Sequence, residues 1–326
     1  MKYKTTDGLM RHLRNNGIQI NGSKQKQQLI NTGYYHGYKG YRFFKRSNKK
    51  LPFVAYEEIY ATIQYDSKIK ELIYAKIMFI ETAVKNIALE CILKTARSGN
   101  LQDFYNKAIN NYTNAPSNVS VEERKKYQQN KLILQENIHR NIAKNYKRGN
   151  PIVTHFYDSI KYNSIPLWAL FEILMLGDFG TLLSCLTFNT RDAITKEIGF
   201  NLSCDTNREL IYKYIFTLKD LRNAVAHNDI VFDARFNKSS PSKAMKSCII
   251  KDVGVPYINF QTIGDYIILI SYYLKLLKVP KTEIKAFIRE FNKITTEYTN
   301  RVNPQVANIV IHPDLKKRMQ ILENFL

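Results

Sequence analysis

Apolar residues recur every three to four positions along most of this 326-residue chain, and strict alternation is rare. That period marks helices that bury one face. The clearest case runs over 54–95, where Ile69, Leu72, Ile73, Ile77, Ile80, Val84, Ile87 and Ala88 form a core-facing stripe. Glu81 and Lys85 stand four apart on that helix, a spacing that suits an ion pair. A second stripe, Ile211, Ile215, Leu218, Leu221 and Val225, predicts a helix over 207–228 that opens at Asn207 as its cap. Shorter helices are expected over 5–16, stopped by Gly17, and over 22–33, stopped by Gly33. The stretch 166–184 reads as two apolar helices about a turn at Gly177–Gly180, with Pro166 at the start and Trp168 in the core. Helices over 190–197, 261–277, 281–299 and 314–326 follow, and two short strands are expected at 248–252 and 257–260. The fold class is mostly α.

Two stretches break the pattern. Residues 34–46, "YYHGYKGYRFFKR", mix aromatics with glycines and cations and suit a turn or short hairpin. Residues 97–150 are polar, rich in Asn and weakly patterned until a basic amphipathic helix around 131–148. The chain therefore divides into a basic, aromatic-rich segment over 1–53, a helical core over 54–236 with a polar insertion at about 97–150, and a helical C-terminal region over 237–326.

Charge changes this picture. The chain carries a formal net charge of +21, enough to draw polyanions. Residues 1–50 hold twelve Lys and Arg against one acid, Asp7, so 12 − 1 = +11 falls in this stretch. Aromatic faces can stack on bases while cations meet phosphates. Lys39, Arg42, Lys45, Arg46, Tyr38 and Tyr41 are the RNA-binding candidates here, with Arg140 and Lys144 on the basic helix further on. The bland alternative is that half of these aromatics dock the N-terminal segment onto the core.

The four cysteines, Cys91, Cys185, Cys204 and Cys248, form no CxxC pair, and with six scattered histidines they show no zinc pattern. No metal and no cofactor is called for. The N-terminus has no apolar signal region, and no run reaches the roughly 18–20 apolar residues of a membrane span. A cytoplasmic protein with no membrane partner is expected.

Residues 222–228 read "RNAVAHN". Positions five apart on an α-helix differ by about 140° in direction, so Arg222 and His227 share a face only where the helix ends or bends. Two copies related by a two-fold axis would bring both pairs into one cleft, and such dimers are the commonest oligomers. An imidazole ordinarily titrates near 6.5 and can exchange protons at neutral pH. A guanidinium stays charged and forks onto a phosphate. Together they fit attack by a ribose 2′-hydroxyl on its own phosphate, which leaves a 2′,3′-cyclic phosphate, spares DNA and needs no metal. The bland alternative is a structural histidine at a helix C-terminus.

"RNAVAHN" resembles the Rx4H motif of HEPN domains. With "QLINTGYYHGYKGYRFF", "IYATIQYDSKIKELIYAKIMFIETAVKNIAL", "IPLWALFEILMLGDFGTLLSCL" and "YIFTLKDLRNAVAHNDIVFDARF", the order of segments over roughly residues 25–236 resembles the Abi family, the AbiD/AbiF group of abortive-infection proteins. The resemblance implies a HEPN-type helical bundle, a homodimer, endoribonuclease activity and a role in phage defence. Arg222 and His227 carry over as catalytic, Asn223 as the supporting polar residue, and Glu81 and Lys85 as supporting residues of the first long helix. The motif continues here as "NDIVFDARF", where relatives often carry a second His or an Arg/Trp-containing tail; this bears on substrate choice. Two other readings stay open. One is a non-catalytic RNA-binding protein that forms a particle with a small structured non-coding RNA, and the other a helical scaffold that binds only protein.

Overall fold

The structure is a computed structural model that describes residues 4–45, 49–159, 164–237 and 241–326. It is helical almost throughout, and the described residues outside helices include one pair of two-residue strands. The helices are α1 (Thr6–Asn15), α2 (Gly22–Tyr34), α3 (Tyr56–Ala96), α4 (Leu101–Lys107), α5 (Val121–Lys147), α6 (Pro151–Tyr157), α7 (Leu167–Ile173) and α8 (Leu176–Cys185). There follow α9 (Phe188–Ile198), α10 (Leu210–Ala226), α11 (Lys243–Val253), α12 (Ile263–Leu276), α13 (Lys281–Thr299), α14 (Pro304–Val310) and α15 (Leu315–Phe325). A π-helical turn, Tyr35–Lys39, continues α2, and β1 (Phe43–Phe44) pairs antiparallel with β2 (Lys49–Lys50).

The chain forms two compact units. The first comprises residues 1–77, 220–241 and 249–326, and the second residues 78–219 and 242–248. In the first, α12 is buried along nearly its whole length and packs against α13 and α15. Its Asp265 pairs with Arg318 of α15, both fully buried, and the Arg318 guanidinium lies over the Tyr257 ring. The start of α3 is fixed by Glu58, whose carboxylate accepts from the Val54 and Ala55 amides and from both nitrogens of Asn303. This is the reach of a capping-box glutamate back to its own helix start. Tyr65 stacks on Tyr298 of α13, with ring centroids 4.5 Å apart.

In the second unit α5 packs against α6, α7 and α8, burying Leu134, Ile138 and Ile142. Close packing of α8 and α10 needs Gly180, where an added Cβ would meet the Phe216 ring at 2.9 Å.

The sequence differs from the structure at identifiable places. The "strand" at 248–252 lies inside α11, and 257–260 forms no strand. "SCIIKDV" is a short apolar run, and short apolar runs do not distinguish a strand from a buried helix segment. Trp168 is 52% exposed rather than in the core; Leu167, Leu170 and Phe171 of α7 are buried, and the Trp168 ring meets Phe156 of α6 edge-on. The insertion over 97–150 is ordered by α4 and by α5, which starts ten residues before the basic amphipathic stretch. Among the described residues no helix is long and apolar enough to cross a membrane.

Candidate active site

Helix α10 ends at Ala226, one residue before His227. The His227 amide donates to Asn223 O at 2.9 Å, the Asn228 amide to Val225 O at 3.2 Å and the Asp229 amide to Ala224 O at 2.7 Å. Asn228 is left-handed, with φ 54°. These are the bonds of a Schellman turn, in which Asn is one of the few residues besides Gly that tolerates the left-handed position. His227 is therefore the cap residue, its amide still bonded to the helix and the left-handed turn following it. It is exposed, while Arg222 and Asn223 are half-buried on the last turn. Arg222 Nη1 donates to Asn223 Oδ1 at 3.2 Å, so Asn223 orients the guanidinium.

The turn is held from α3. Asp66 is fully buried, and its Oδ1 accepts from the Val231 and Phe232 amides at 2.8 and 2.7 Å. Its Oδ2 accepts from Tyr41 Oη at 3.0 Å and from Lys70 Nζ at 2.9 Å. Lys70 Nζ also donates to Asn228 Oδ1 at 2.7 Å and to Asp229 O at 3.3 Å. Sequence reasoning missed both residues, although Asp66 precedes Ile69 and Ile73 on the core stripe by three and seven positions. A carboxylate on an apolar stripe needs buried donors, and that was the available signal.

The same loop grips the N-terminal segment. Asp233 accepts from the Lys45 amide at 2.9 Å and from the Arg235 side chain, and Arg235 in turn donates to the carbonyls of Gly40 at 2.6 Å and Phe43 at 2.9 Å. Gly40 is required at this contact: a Cβ there would lie 2.6 Å from Ile230 Cδ1 and 2.9 Å from Tyr35 O.

This docking corrects part of the RNA-binding set. Tyr38 and Tyr41 are buried, with 4% and 2% exposure, so their faces are turned into the protein and not offered to bases. Tyr41 stacks on Phe232, and its hydroxyl is pushed well above the ordinary tyrosine range by burial and then by the Asp66 charge. Tyr38 is raised by burial, against the lowering effect of Arg42. Lys45 spends its ammonium on the carbonyls of Arg235 and Asn237. Lys39 is exposed, and Arg42 lies over the Phe43 ring at 4.7 Å with that ring 39% exposed. Arg46 lies outside the described residues.

Positive potential extends onto α1. A surface cleft there is lined by Lys4, Thr5, Gly8, Arg11, His12 and Asn15. The His12 imidazole is pushed down by partial burial and then by the Lys4 and Arg42 charges.

In the second unit, Lys85 Nζ donates to Glu81 Oε1 at 2.9 Å, the expected ion pair, and to Leu174 O at 2.7 Å. Arg140 and Lys144 are exposed on α5, where Arg140 pairs with Glu136.

The sequence model of one family, described as Abi-like protein, matches residues 27–233. That span begins in α2 and ends at Asp233, so it includes the whole "RNAVAHN" turn and its α3 clamp. No curated protein and no solved structure matches the chain.

Proposed function

The chain belongs to the Abi-like protein family, and from that premise we propose that it acts in bacterial abortive infection as a metal-independent HEPN-type endoribonuclease of the AbiD/AbiF group. One observation carries the reading. The "RNAVAHN" segment ends a helix in a Schellman turn, with Arg222 half-buried on the last helical turn and His227 exposed at the cap. An exposed imidazole can take a proton from a substrate, and a guanidinium oriented by Asn223 can receive a phosphate.

The chemistry follows from these groups. One His227 removes the proton of a ribose 2′-hydroxyl. The oxygen attacks the adjacent phosphorus, the P–O5′ bond breaks, and the 5′-oxygen takes a proton from the second His227 of a dimer. The charge gathering on the phosphoryl oxygens is met by Arg222, whose fork donates two hydrogen bonds. The site is composite, with one Arg/His pair from each subunit. The RNA is gripped by Lys39, Arg42 and the α1 cleft, and the 230–235 loop ties the Gly40 and Phe43 carbonyls, which flank the first two in sequence, to the segment after the catalytic turn.

Cleavage of end-labelled RNA in EDTA by the wild type and not by His227→Ala tests this reading. A second reading has its own support. The Arg42–Phe43 stack and the exposed cations of the N-terminal segment suit a stable grip on a structured non-coding RNA, with the motif silent. Tight co-purification of one discrete RNA with no His227-dependent cleavage would select it.

A further inference from the structure

Building on the ribonuclease reading, we propose that Lys70 is a positioning residue for His227, a clamp that sets the catalytic imidazole through the turn beside it. Among the described residues none hydrogen-bonds the His227 ring, which is exposed. Its placement is therefore inherited from the backbone on either side, from α10 through the Asn223 carbonyl and from the turn at residues 228–229. That backbone depends on one non-glycine residue in the left-handed region, Asn228, a conformation that needs support from its surroundings.

Lys70 supplies the support with matched numbers. An ammonium has three donors and no acceptor. Here it meets three oxygens: Asp66 Oδ2 at 2.9 Å, Asn228 Oδ1 at 2.7 Å and Asp229 O at 3.3 Å. Two of the three lie in the turn. A plain counter-charge for Asp66 would need neither, and Asp66 already has three other donors in Tyr41 and the Val231 and Phe232 amides. One face of α3 thus holds both ends of the segment after His227, with Lys70 on 228–229 and Asp66 on 231–232. Side chains that hold a reacting group in place matter because a displacement of about 1 Å can cost about a hundredfold in rate.

Two substitutions separate the clamp from the fold. Lys70→Met keeps the apolar stem and removes the three donors, while Asp66 keeps its other partners. Asn228→Gly removes the acceptor and leaves a residue at ease with φ 54°. Two readouts are taken on full-length protein: kcat and KM on labelled RNA, and the His227 ring signal in 1H–13C NMR spectra without RNA. Each variant is expected to lower kcat by about ten- to a hundredfold at unchanged KM. The double variant should be no slower than the slower single, because both break one contact. The His227 signal should broaden or split in Lys70→Met. An unchanged His227 signal overturns the clamp whatever the activity, and so does a kcat in both variants within about twofold of wild type. If the wild type cleaves no RNA, the ribonuclease reading fails, and the ring signal alone then decides whether Lys70 sets His227.

Discussion

The Tyr41 hydroxyl donates to the Asp66 carboxylate at 3.0 Å, with both side chains buried. Through this bond the aromatic segment before β1 is locked to the long helix that also holds the turn after His227. Asp66 serves four donors, so removing it strands several buried polar groups at once. Asp66→Ala should cost about 3–5 kcal/mol. Tyr41→Phe should cost about 1.5–3 kcal/mol, since one hydrogen bond to a charged group is lost and Asp66 keeps its other partners. Urea unfolding of the two variants checks both values; equal costs would mean that the Asp66 network is not shared in this way.

The approach of Gly40 to the 230–235 loop gives a steric prediction. Gly40→Ala forces a Cβ against Ile230 Cδ1 and the Tyr35 carbonyl, one of them backbone. Overpacking of this kind typically costs about 1–3 kcal/mol, and here it should also loosen Arg235 from the Gly40 carbonyl. Thermal melts report the cost. Faster hydrogen exchange at the Lys45 amide, which is bonded to Asp233, reports the loosening.

These contacts show what the sequence could reveal. The helices with long apolar stripes, α3, α10, α12 and α13, were legible within a few residues because burial imposes the period. Helices α6 and α14, seven residues each, are too short to show one. Arg222, Asn223 and His227 stand close in the sequence, but the Schellman turn that ends α10 was not legible, since it depends on Asn228 adopting the left-handed conformation. The roles of Asp66 and Asp233 were hidden because the Val231 and Phe232 amides bound by Asp66 and the Lys45 amide bound by Asp233 are distant in sequence. Tyr38 and Tyr41 were misread because an aromatic flanked by cations looks alike whether it stacks on a base or fills a core.

Acid stability should be shaped by Asp192 of α9. Its carboxylate accepts from Lys196 and Arg208, each at 2.6 Å, and these bonds hold its pKa below the ordinary 3.8. A depressed carboxylate stabilises the fold above its unfolded pKa, and that contribution is lost as pH falls through the folded value. Asp192→Asn should thus be less stable than wild type at neutral pH, with the gap closing below 3.8. Denaturation midpoints at neutral pH and in acid test the sign; a gap that widens in acid would contradict it.

Salt dependence separates the cations of the N-terminal segment. Each phosphate contact adds about 0.7–0.9 to the slope of log affinity against log salt. Lys39→Ala and Arg42→Ala should each reduce that slope by about one contact. Lys45→Ala should change it little, because its ammonium is already spent on two carbonyls. Anisotropy titrations over a range of KCl measure the slopes. Equal effects from all three substitutions would mean that exposure does not select the contacts.

The proposed composite site makes the sharpest demand. Arg222→Ala and His227→Ala homodimers should each lose about a hundredfold or more of the cleavage rate, from lost phosphate stabilisation and lost proton transfer respectively. Affinity should stay within a few-fold, since Lys39, Arg42 and the α1 cleft are untouched. Arg222→Lys should recover little, because an ammonium is a point charge and not a fork. Isolated mixed dimers of one wild-type and one His227→Ala subunit should fall nearly as far as the His227→Ala homodimer, because the route uses both imidazoles and such a dimer keeps one. A 2′-deoxy nucleotide on the 5′ side of the cut should block the reaction by removing the attacking oxygen. Cleavage of that 2′-deoxy substrate would refute the 2′-hydroxyl route, and full activity at concentrations where sedimentation shows only monomer would refute the shared site.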